Sequence, residues 1–199
     1  MNRPGEIRDF ERSIVKHAAP TLAGLKPASL FSCREPFARL EERFHDCRER
    51  LADKGISLDA LAEREASTLL FVCRKSLVKA ALCHDGACRF MRSLGYDPTS
   101  VESCVACLSK RIALSDRKKI TGCEFPHEIG LLLGYPFEDV MAFIRNDADC
   151  VACGCWKAYS NEAGARDQFK RYRACTAHLM RLFDEGARIE QLAQPAWAA

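Results

Sequence analysis

A histidine and a glutamate stand side by side in the segment Phe125-Pro126-His127-Glu128-Ile129-Gly130, which is followed by Gly134-Tyr135-Pro136-Phe137-Glu138-Asp139. Prolines just before or inside a first helical turn mark two helix starts here. His127 and Glu128 then fall in a helix N-terminal turn, where free backbone N–H groups and the positive dipole end attract anions. An imidazole so placed can ligate a metal or carry a proton, with Glu128 beside it. The plainer reading is that Glu128, Glu138 and Asp139 complement helix dipoles while His127 packs at a turn.

A second candidate is Cys150-Val151-Ala152-Cys153-Gly154-Cys155-Trp156-Lys157-Ala158-Tyr159. A C-x-x-C-x-C run in a glycine-containing loop can fold its thiolates around zinc or an iron–sulfur cluster. If Cys155 opens a strand, then Cys155, Lys157 and Tyr159 share one face and Trp156 takes the other. A lysine that close also favours the thiolate. Cys150, Cys153 and Cys155 are one ligand short of a closed site, and Cys123, Cys175 or His127 would have to complete it. The alternative is a structural or incidental role. Cys104 and Cys107 form another C-x-x-C, but on a helix whose apolar stripe includes Cys104, so they read as packing; so do Cys73 and Cys88.

The chain has 199 residues and twelve cysteines, with 30 basic against 27 acidic side chains and a net charge of +3. That near balance does not suggest a nucleic-acid binder, which usually carries a concentrated basic stripe. The densest basic cluster, Lys110 to Lys119, has no interleaved aromatic and reads as a solvated helix end. No apolar run approaches the roughly 20 residues of a membrane helix, and the charged N-terminus has no secretory h-region. A cytoplasmic setting is expected, with the cysteines as thiols. Walker, G-x-G-x-x-G, G-x-S-x-G and H-E-x-x-H motifs are absent.

The elements that must position these residues are mostly helical. Spacing predicts helices over 10–18 (ended by Pro20), 36–54, 100–115 and 161–186. Strands are expected at Ser67 to Arg74 and, with weaker patterns, at 29–33, 155–160 and 188–192. The fold class is therefore α+β, a mostly helical single domain over 1–199 packed on a three- to four-stranded sheet. Its tails, 1–9 and 194–199, are expected to fray.

Three stretches resemble a known family: His17 to Lys26, Phe125 to Ile144, and Trp156 to Tyr159 with Tyr172 and Cys175 downstream. It is a bacterial family described as domain of unknown function 3793, met mostly in anaerobes. The resemblance runs from about His17 to Leu192. It implies a working surface made of polar residues with no obvious packing duty, namely His17, Thr21, Lys26, His127, Glu128, Lys157 and Tyr159. The resemblance implies cysteine in many relatives where this chain has Ala18, and usually an aromatic where it has Cys155, so the cysteine set varies.

These readings converge on a protein of anaerobic metabolism that binds a small molecule, or a metal or iron–sulfur cofactor. His17, Thr21, Lys26, Trp156, Lys157 and Tyr159 would hold the ligand, with the lysines on an anionic group. His127 and Glu128 would coordinate or exchange a proton, and Cys150, Cys153 and Cys155 would take a soft metal. The alternatives are an enzyme working with His, Glu, Lys and Cys side chains, and a non-catalytic interaction module.

Overall fold

The computed structural model describes residues 4–117, 122, 124–147 and 149–194. Lys118, Lys119, Cys123 and residues 195–199 lie outside that set. The fold is α+β, and the chain divides into two compact units, Met1–Leu77 with Ala174–Ala199, and Val78–Arg173.

The first unit is built on α1 (Pro4–Leu22), β1 (Ala28–Cys33), α2 (Phe37–Ala52), β2 (Ile56–Arg64) and β3 (Ser67–Arg74). The strands form an antiparallel sheet in the order β1-β3-β2. Central β3 is buried from Thr68 to Arg74, as its unbroken apolar run requires. Side-chain alternation puts Leu70 and Val72 in one core with Phe31, Leu58, and Phe10 and Ile14 of α1. Leu69, Phe71 and Cys73, on the opposite face, are buried as well.

Several expectations change here. The first helix starts at Pro4, inside the stretch expected to fray, and passes Pro20 to end at Leu22. Proline removes one helical N–H, that facing Lys16 O, and the carbonyls that any helix leaves unpaired at its C-terminal end find other donors here. The buried Arg74 guanidinium donates to Thr21 O at 2.8 Å and also to Leu22 O, and Gly24 closes the turn at φ 73°. β2 lies where no strand was expected. Arg188 to Leu192, read as a strand, contains instead the helical turn α9 (Ile189–Leu192), whose start is closed by Gln191 Oε1 accepting from Arg188 N.

The second unit contains α4 (Asp85–Ser93), α5 (Val101–Asp116), α6 (Ile129–Leu132), α7 (Phe137–Arg145) and the hairpin β4 (Ala152–Cys153) and β5 (Lys157–Ala158). The boundaries fall inside α3 (Lys75–Leu82) and α8 (Glu162–Asp184). Ser100 caps α5 by accepting from Ser103 N at 3.1 Å. α7 starts after Pro136 and ends at Asn146, left-handed at φ 55°. No helix among the described residues is long and apolar enough to cross a membrane.

Burial sorts the cysteines. Cys47, in the first core, has its thiol pushed up to about 12, by burial first and then by the Glu11 charge. Burial likewise lifts Cys104 and Cys175 to about 11. Cys83, Cys153 and Cys155 are exposed. Brief iodoacetamide treatment at about pH 8, where thiolate reacts and thiol does not, should label those three and spare Cys47, Cys104 and Cys175 until the chain is unfolded. Peptide mass spectrometry reads the pattern; labelling of Cys47 at the rate of Cys153 would contradict the burial described.

Candidate functional site

In the second unit the two chemistry-bearing segments meet. α6 and α7 hold the 125–145 stretch, and the β4–β5 hairpin presents the cysteine segment. Asp139, in the first turn of α7, fastens the two together. Its buried carboxylate accepts from Trp156 Nε1 and Tyr159 N, both at 2.8 Å, and from Ser160 N and Oγ, both at 3.3 Å. One acid thus satisfies the indole and the backbone leaving β5. Strand pairing sets Ala152 opposite Ala158 and Cys153 opposite Lys157. Under the hairpin, Ala152, Ala158, Ala165 and Phe169 form a small core on which Trp156 packs.

Between these elements lies a cleft of about 290 Å³, near the lower end of small-molecule sites. Its walls are aromatic. Tyr135 and Trp156 stack with centroids 5.2 Å apart and planes 25° apart, and Trp156 meets Phe169 edge-on at 4.5 Å. His127 meets Phe143 edge-on at 4.9 Å, and Lys157 Nζ stands 5.7 Å from the Phe143 ring centre, within cation–π range. His127, Phe143, Cys153 and Lys157 are exposed, whereas Asp139 and Val140 are buried. Burial, followed by the influence of Cys155 and Tyr172, raises the Tyr135 phenol above its ordinary value and keeps it protonated.

His127, Cys153, Trp156 and Lys157 therefore line one cleft. Glu128 does not line it. Its buried carboxylate accepts from Tyr96 Oη at 2.8 Å and Arg111 Nε at 2.6 Å, so it holds the turn that carries His127. Nor does the pair sit on a substantial helix N-terminus, because α6 has four residues. Cys155 lies in the hairpin turn and not on a strand, and Tyr159 is held through its backbone.

His17, Thr21 and Lys26 belong to the first unit. Thr21 is fully buried, its Oγ1 2.9 Å from Ser29 Oγ, and Lys26 is buried as well. Both are part of the fabric of that unit, and only His17 of the three is exposed.

Among the described residues, no group of three or more His, Cys, Asp and Glu side chains converges to hold a metal ion. Cys150, Cys153 and Cys155 thus lack the convergence that zinc or an iron–sulfur cluster needs. Cys175 is packed in the core of the first unit.

Tyr135, Asp139, Val140 and Phe143 join the lining without having been read as site residues. The motif from Phe125 to Ile144 contained all four, but an acid in a first helical turn looks the same whether it faces water or, as here, a hairpin. Gly154 is equally tied to the geometry. A Cβ there would overlap three atoms of the Phe169 ring, so Gly154→Ala should lower the unfolding free energy by about 1–3 kcal/mol through overpacking. Urea denaturation measures this, and an unchanged midpoint would mean that the ring moves freely aside.

Fold and site together define an α+β protein with an aromatic-walled cleft that carries an imidazole, a thiol and a lysine. The chain belongs to the family described as Protein of unknown function (DUF3793), which matches residues 14–193. No curated protein and no solved structure matches the chain.

Proposed function

We propose that the second unit binds a small organic anion with a flat, apolar body. The observation that carries this is the composition of the cleft: stacked Tyr135 and Trp156, the Phe143 edge, and Lys157 over that ring. Aromatic walls favour a planar body, and the lysine favours a carboxylate or similar group on it.

The test uses Trp156 as reporter. The chain has two tryptophans, so Trp197→Phe leaves Trp156 alone. Benzoate and indole-3-acetate should quench its fluorescence saturably, and benzamide should bind about tenfold more weakly for want of the charge. Lys157→Ala should erase that preference. Absence of a saturable response to every compound, or a preference that survives Lys157→Ala, would sink the reading.

The presence of His127 and Cys153 on the same lining supports a second reading, in which they act on the bound anion as proton carrier and nucleophile. Conversion of a bound ligand by the intact chain, lost in His127→Ala or Cys153→Ala with affinity retained, would establish it.

A further inference from the structure

The first unit has a basin that plays no part in the anion binding proposed for the second. α1 buries Phe10, Ile14, Val15 and Ala18, so helical spacing leaves Arg12, Lys16 and His17 on its outer side. With Ser32 and Arg34 from the end of β1 and the residue after it, they line an open basin of about 690 Å³.

The His17 ring lies parallel to Phe31, with centroids 5.0 Å and planes 18° apart. One imidazole face is therefore covered, and His17 is exposed and lines the basin. Burial, and secondarily the Lys16 charge, lowers the His17 pKa from its ordinary value, so the ring is a neutral shelf at neutral pH. The charges around it are not equivalent. Arg12 is engaged by Asp184 at 3.2 Å and Glu35 by Arg43 at 2.8 Å. Lys16 and Arg34 form no ion pair among the described residues. Asp9 also lines the basin and offers an acceptor for hydroxyl or amino groups.

Two cations with no ion pair among the described residues, beside a flat neutral shelf, suit a ligand that is planar at one end and strongly anionic at the other. We propose that this basin binds a flat-ringed phosphate ester, with its phosphate between Lys16 and Arg34 and its ring on the other face of His17. The absence of a glycine-rich loop fits, since side-chain cations would do here what backbone N–H groups do in such loops.

Phenyl phosphate is the minimal probe, with inorganic phosphate and phenol as its halves. Each is titrated into the full chain while imidazole proton resonances are recorded, the His17 signal being identified by its loss in His17→Ala. Phenyl phosphate should shift that signal saturably and bind about tenfold more tightly than inorganic phosphate, since stacking adds to the charge contact. The double variant Lys16→Ala/Arg34→Ala should lose at least about tenfold in affinity. His17→Ala should bind phenyl phosphate no better than inorganic phosphate. All three positions are exposed, and circular dichroism confirms that the variants keep the fold. No saturable shift, affinity unchanged in the double variant, or equal affinity for phenyl phosphate and inorganic phosphate would each overturn the proposal.

Discussion

Replacing Asp139 by alanine should cost about 3–5 kcal/mol of stability, the range for truncating one partner of a buried charged network. Asp139 is 3% exposed, and its carboxylate serves the Trp156 indole, the Tyr159 amide, and the Ser160 amide and hydroxyl. A hydrogen bond to a charged group contributes about 1.5–3 kcal/mol, and donors left buried without an acceptor add their desolvation cost. The single bonds do not simply sum, which keeps the expected value in that range. Since the same acid ties α7 to the hairpin, ligand binding in the cleft should vanish together with stability. Asp139→Asn keeps the shape but turns one acceptor into a donor facing other donors, so it should fall between wild type and alanine. Urea unfolding followed through Trp156 in the Trp197→Phe background provides the measurement. A loss below about 1 kcal/mol for the alanine variant, the size expected of a mere helix-end charge, would mean that the carboxylate is dispensable.

Glu128→Ala should be the next most damaging change, at about 2–3 kcal/mol. It strips the buried Tyr96 hydroxyl of its acceptor, a cost of about 1–3 kcal/mol. Arg111 is one-third exposed and rehydrates, so losing its ion pair adds little. The pair also leaves a mark on the pH dependence. Burial first, then the Glu128 charge and hydrogen bond, raise the Tyr96 phenol above its ordinary value. In the unfolded chain Tyr96 loses its proton near pH 10, as model phenols do, while the folded chain retains it. Stability is therefore full below about pH 10 and falls above it, by about 1.4 kcal/mol per pH unit for each such proton. Tyr96→Phe removes one of these protons, and the alkaline decline of its urea midpoint should be shallower than wild type's. An identical slope would place Tyr96 outside the effect.

Where apolar spacing was regular, the elements were legible. α2 and α5 bury Leu40, Phe44, Cys47 and Leu51, and Val101, Cys104, Leu108 and Ile112, apolar residues that recur three or four apart. β2 was not legible for a physical reason. Its register shifts between Ala60 and Ala62, so burial passes from Ile56 and Leu58 to Leu61 and the period of two breaks. Its Leu, Ala, Glu and Arg residues also favour helix. α3 and α4 bury only Val78 and Leu82, and Ala87 and Met91, too few to mark a period. The cleft lining holds His127 and Lys157, two of the polar side chains whose sequence context showed no obvious packing duty, and Trp156, read there as a ligand-holding residue and packed here on the hairpin core. The partners of Glu128 were not legible, because Tyr96 and Arg111 stand 32 and 17 residues away and leave no local trace.

The division of the chain also orders its biosynthesis. Residues 78–173 form one unbroken stretch, whereas the first unit needs the segment from Ala174 onward. Cys175, Leu179, Phe183 and Ile189 belong to its core, and Glu190 receives Arg50 at 3.3 Å. As the nascent chain leaves the ribosome, every residue of the later-encoded unit is available before the earlier one has its closing segment. The N-terminal sheet must therefore wait, with its apolar face unfinished, until the segment from Ala174 onward has been made. That interval is when chaperone capture or aggregation would act on it, and a stop codon near residue 173 would leave the first unit without the wall that completes its core.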